Sequence, residues 1–183
     1  MKRLPLLLGI LAALIPTAAL AAGEITATKT ATVISDTLGL LLVPPKALTG
    51  SVVDYKIVFA NTAGTFSGKL VRNVAMEDPL PANVILRVAD INSSGTTATA
   101  NNGPIEFSDG GLLGLGGSGM TCNFVSWADT TDCIEFYDTN GNLITPVADA
   151  NGYDARVRKI RIKPVTTFNN GGSFQIRYRV KIT

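Results

Sequence analysis

The sequence predicts an all-β protein, an antiparallel β-sandwich. Three observations carry this: apolar residues recur with a period of two, turn dipeptides separate the alternating runs, and no segment beyond the N-terminus has the period of an amphipathic helix. Val53, Tyr55, Ile57 and Phe59 alternate with Asp54, Lys56 and Val58. Val84, Leu86 and Val88 alternate with Ile85 and Arg87, and Phe174, Ile176, Tyr178, Val180 and Ile182 alternate with Gln175, Arg177, Arg179 and Lys181. The Asn-Gly pairs 102–103, 140–141, 151–152 and 170–171 suit turns, because both residues tolerate positive φ. Two of them predict hairpin tips, with 134–137 against 143–147 and 156–164 against 174–182.

The N-terminus has a short basic region, Lys2 and Arg3, an apolar run over 4–15, and the small residues Ala19 and Ala21 around Leu20. This is the pattern of a secretory signal peptide over 1–21, cut before Ala22. The apolar run is shorter than the roughly 20 residues a helical span needs. The residue directly after the cut is Ala22 and not a cysteine, and the C-terminus shows neither a hydrophobic tail nor a sorting motif. The expectation is a secreted chain, extracellular or at the cell surface, with no membrane span in its mature form. The 183 residues allow one domain. It is expected over 38–183, preceded by an N-terminal strand over 22–37.

Composition narrows the chemistry. The chain has no His, which excludes Ser-His-Asp and Cys-His nucleophiles and His-ligated metals. Cys122 and Cys133 are its two cysteines, and in an exported protein such a pair predicts one structural disulfide. A redox-active pair is the alternative, at a spacing far from Cys-x-x-Cys.

Charge is balanced in total and polarised along the chain. Without Lys2 and Arg3 the mature protein has 14 basic and 14 acidic residues. Asp129, Asp132, Glu135, Asp138, Asp149 and Asp154 stand without a base among them, whereas everything charged after Asp154 is basic. Arg177, Arg179 and Lys181 must share one face of the last strand, and Arg161 and Lys163 are expected beside them on a neighbouring strand. Like charges opposed across strands repel, so the expectation is either a solvated basic face or an anionic surface lying against it. Nucleic acid is not expected, since no aromatic residues interleave that face.

Residues 25–36 (ITATKTATVISD) followed by 45–62 (PKALTGSVVDYKIVFANT) resemble the opening of the prokaryotic conserved-repeat domain, an immunoglobulin-like surface module known as domain of unknown function number eleven. Residues 71–84 (VRNVAMEDPLPANV) are similar to its acidic, proline-containing turn, and 171–182 to its glycine-led closing strand. The resemblance covers both ends of the mature chain. It implies an Ig-like sandwich whose middle, 90–154, is an enlarged central insertion. It also implies an extracellular structural or interaction module, and brings no catalytic residues.

Other patterns are weaker. The glycines of 114–119 lack the Lys-Ser/Thr ending and following helix of a phosphate loop. Asp138, Asn140 and Asn142 are spaced to offer oxygens to calcium, but the glycine is misplaced for an EF-hand, and a turn explains the same residues. Asn92-Ser93-Ser94 is a formal glycosylation sequon. Glu77 and Asp78 read as strand-end and turn residues before acid/base groups. No cofactor and no enzymatic activity are expected.

The remaining signal is the first strand. Thr26, Thr28, Thr30 and Thr32 define one face, and Ile25, Ala27, Lys29, Ala31 and Val33 the other. A long linker with Gly39, Pro44 and Pro45 follows. This strand can open its own sandwich or add to the sheet of a neighbouring copy. The function expected is a non-enzymatic structural or adhesive surface protein, a pilus-like filament subunit joined by β-strand addition. The alternative is a monomeric extracellular module that binds an anionic glycan or a partner protein.

Overall fold

The computed structural model describes residues 25–39, 44–63, 70–110 and 116–183. The expected signal peptide over 1–21 lies outside them. Thirteen strands and no helix are found among the described residues: β1 (Ile25–Ser35), β2 (Val52–Asn61), β3 (Val71–Arg72), β4 (Met76–Pro79), β5 (Val84–Arg87), β6 (Ile105–Asp109), β7 (Gly116–Gly117), β8 (Ile134–Tyr137), β9 (Leu143–Ile144), β10 (Tyr153–Asp154), β11 (Lys159–Ile162), β12 (Thr167–Phe168) and β13 (Gly172–Ile182).

They form two main antiparallel layers and a small β12–β3 ladder. The larger sheet runs β1-β2-β13-β5-β10, with β6 and β7 also on β13, and the smaller runs β4-β11-β8-β9. The period-two pattern fixes which side of β13 is inside. Phe174, Ile176, Tyr178 and Val180 are almost wholly buried, while Gln175, Arg177, Arg179 and Lys181 are only partly covered. Opposite them the smaller sheet contributes Ile134, Phe136, Ile160 and Ile162, and one continuous core joins the two layers. Phe174 packs on Phe59, Phe107 and Phe168 with ring centroids 5.1–5.2 Å apart. This aromatic centre ties β2, β6, β12 and β13 together.

The middle of the chain is woven through both layers. It supplies β6 and β7 to the larger sheet and β8 and β9 to the smaller, along with the core residues Ile105, Met120 and Phe124. The 134–137 hairpin forms with a shorter second arm than the expected 143–147, β9 ending at Ile144, with Phe136 opposite Ile144 and Tyr137 opposite Leu143. The second expected hairpin does not form. β11 pairs β4 and β8 in the smaller sheet, whereas β13 lies between β2 and β5/β6 in the larger. The chain between them crosses from one layer to the other through β12, so Asn170-Gly171 is a turn between β12 and β13. In all four Asn-Gly pairs only the glycine takes positive φ. The hairpin tip is therefore not a two-residue turn with both φ positive: Asp138 caps a wider loop and Gly141 alone reverses it.

Candidate assembly interface

β1 is the edge strand of the larger sheet and pairs β2 from Ile25↔Asn61 to Ser35↔Val52. Its inner face continues the rows of the core. Ala27 stands beside Phe59, with Phe174 next in the row; Lys29 beside Ile57, then Ile176; Ala31 beside Tyr55, then Tyr178; and Val33 beside Val53, then Val180. The small alanines meet large aromatic neighbours, so β1 closes the layer only partly. Every β1 residue except Val33 is exposed, and Val33 is the one that packs on the core.

Between β1 and β4, the edges of the two sheets on one flank, lies a slot of about 160 Å³. Ile57, Phe59, Ile160, Ile162 and Ile176 form its apolar floor. One ion pair closes it. Lys29 Nζ donates to both oxygens of Asp78, at 2.7 and 2.8 Å, and sits 4.5 Å from the centroid of Tyr55 and 5.5 Å from that of Tyr178. Tyr178 Oη donates to Asp78 Oδ2 at 2.5 Å. Burial pushes the Tyr178 hydroxyl's pKa far up, and the bond to Asp78 adds to it, so it stays protonated and keeps its proton for Asp78. Asp78 is thus part of a seat built from β2, β4 and β13 rather than a turn cap. Its sequence signal was a lysine on an otherwise apolar strand face.

The connection from β1 to β2 is held at its neck by Asp36. Its Oδ1 accepts from the backbone N–H of Leu38 and Gly39 and its Oδ2 from that of Lys46, at 2.8–3.2 Å. The Lys46 N–H does most to hold the Asp36 carboxyl below its ordinary pKa. Leu38 and Gly39 are local turn partners of Asp36, whereas Lys46 lies ten residues along within the linker, and nothing in the spacing of Asp36 pointed to that closure.

The basic residues meet their counter-charges inside the molecule. Arg177 donates to Asp54 and Glu106, and Arg179 to Asp54, at 2.6–3.0 Å. Lys163 pairs with Glu135, and Arg161 lies 3.7–3.8 Å from Glu77 and Glu135. Lys181 sits 4.6 Å over the Tyr153 ring. The expectation that Arg161 and Lys163 adjoin Arg177 is corrected: they are on the other sheet. An external anion is not needed to offset the repulsion, because strands from earlier in the chain bring acids to the basic C-terminal segment.

Cys122 and Cys133 are bonded, with Cα atoms 5.4 Å apart. The calcium-spaced residues form a turn: Asp138 accepts from the N–H of Asn140 and Asn142 and from Asn142 Nδ2, at 2.8–3.0 Å. Among the described residues no group of three or more His, Cys, Asp or Glu is placed to hold a metal. Nor does any helix reach the length and apolarity to cross a membrane. Trp127 is half-buried, its ring edge-on to Phe124 at 4.8 Å and Phe136 at 5.6 Å.

Comparison with family models finds no match to this chain, and comparisons with curated proteins and with solved structures find none either.

Proposed function

We propose that this chain is an exported, non-enzymatic structural subunit of an extracellular surface filament, joined to its neighbours by addition of β1 to the sheet of the next copy. The observation that carries this reading is the mismatch between β1 and its linker. Ser35 and Val52 end as partners in one ladder, a junction that a hairpin loop of two to five residues would close. The chain instead spends residues 36–51 on it, which reach about 50 Å when extended.

Two further points support the reading. The signal-peptide pattern and the disulfide fit an oxidising, extracytoplasmic setting. The all-β architecture fits the resemblance to the conserved-repeat surface domain, which implies an extracellular structural or interaction module. The alternative, a monomeric binder of an anionic glycan or protein, loses its main motive, because Arg177, Arg179, Arg161 and Lys163 are neutralised from within.

Negative-stain imaging of the mature chain, residues 22–183, tests the proposal. Filaments growing with concentration are expected, and a chain that stays monomeric throughout would overturn it.

A further inference from the structure

We infer that Lys29 and Asp78 are the register key of strand exchange between two copies of this chain: β1 of one copy lies along β2 of the next, and its Lys29 ammonium seats on the neighbour's Asp78. This rests on the filament reading above and names the partner and the contact that aligns it.

β1 alternates Thr26, Thr28, Thr30 and Thr32 with Ala27 and Ala31, a repeat that looks almost the same after a slip of two residues. A two-residue slip keeps each side chain on its own face, so hydrophobic patterning alone specifies the pairing weakly. Lys29 breaks the repeat. Slipped by two, the strand would place Ala27 or Ala31 opposite the seat, leaving the Asp78 carboxylate without its cation and the ammonium against the apolar floor of the slot.

Asp78 is on β4, Tyr55 on β2 and Tyr178 on β13. None belongs to β1. The Asp78 side chain is 15% exposed even with Lys29 in place, and the Tyr178 hydroxyl fixes it from below. The seat therefore stays assembled when β1 leaves, and presents a negative charge between two aromatic rings to any strand that carries a lysine at the matching position.

β1 places one residue, Val33, on the core, so its departure uncovers little apolar surface of its own. The loop neck is three N–H bonds to one half-buried carboxylate, Asp36. Breaking them frees the linker to reach the neighbour.

Charge reversal tests the key, using the mature chain. K29D and D78K should each fail to form filaments alone. Their equimolar mixture should form them, because each strand then faces the opposite charge on its neighbour. The double variant K29D/D78K should assemble by itself and shows that the reversed pair folds. If the double variant assembles and the mixture does not, β1 stays in its own domain, which overturns the inference and the joining of subunits by β1, while filament formation itself stands. If the unaltered chain forms no filaments, the filament reading itself fails. Single variants that assemble as well as the unaltered chain would remove Lys29 as the key.

Because D78K also takes away the acceptor of Tyr178, a second measurement avoids the seat. Thr30 and Lys56 face each other across the β1–β2 ladder and are both exposed. Chains carrying T30C and K56C separately should, when mixed under assembly conditions and oxidised, give a covalent dimer on a non-reducing denaturing gel that neither gives alone. Absence of that dimer would overturn exchange.

Discussion

Asp54 stands directly opposite Arg179 across the β2–β13 ladder and takes it with both oxygens, Oδ1 from Nε at 2.7 Å and Oδ2 from Nη2 at 3.0 Å. Oδ2 also accepts from Arg177 Nη1 at 2.8 Å. One nearly buried carboxylate therefore bridges two guanidinium groups on the outer face of the central strands, and Glu106 supplies Arg177 with the second negative charge. Removing it in D54A leaves both without that acceptor, and is expected to destabilise the domain by about 3 kcal/mol, a fall in Tm of roughly 10 °C. Thermal unfolding measures it.

The same cluster sets an acid limit. Burial works to raise the Asp54 pKa, but bonds and charge from Arg179 and Arg177 outweigh it and hold the group below its ordinary value. Glu106 is held low chiefly by its bond from Arg177. Groups whose pKa is depressed by folding stabilise the native state above their unfolded pKa values, near 4. That stability is lost as pH falls through the lower, folded values. Tm should hold between pH 5 and 7 and drop below about pH 4, by less in D54N than in the unaltered chain. Melts across that series check the sign.

Arg87 is a cation with an unusual set of partners. It is 5% exposed, and its guanidinium donates to the carbonyls of Asp90, Ser93, Gly95 and Asn151. Asp90 in turn accepts from Thr99 and Gly103. Together they organise the loop between β5 and β6. R87M keeps the stem and strands four carbonyls, so a loss of about 2–4 kcal/mol is expected, with early loss of amide-exchange protection over 90–103.

The disulfide closes a short loop in a domain with an ample core. Its reduction should cost about 3 kcal/mol and lower Tm without abolishing the fold. Intact mass under non-reducing conditions checks the bond, and a reduced sample that keeps its far-UV spectrum at 25 °C checks the rest.

The sequence shows the strands because one buried face per strand leaves a period-two record. β2, β5 and β13 were legible for that reason, as was the 134–137 hairpin. Which strands pair was less so: β11 and β13 both alternate and flank an Asn-Gly turn, yet the two residues of β12 suffice to carry the chain to the other layer. Among site residues, the inner face of β1 was legible as a set. The partners were not, because Asp54, Asp78 and Glu106 lie far along the chain from the cations they meet. A run of unanswered basic residues is visible in one dimension, while its answer exists only in three.

The account's central claim is that β1 acts between copies, and deletion of residues 22–37 tests it most directly. The shortened chain should fold, with a lowered Tm and an open β2 edge, and form no filaments where the mature chain does. Adding residues 22–37 back as a peptide should raise Tm without restoring filaments, since a free strand fills the seat but links nothing. Filaments from the shortened chain equal to those of the full mature chain would contradict the account and make β1 simply the first strand of its own sandwich.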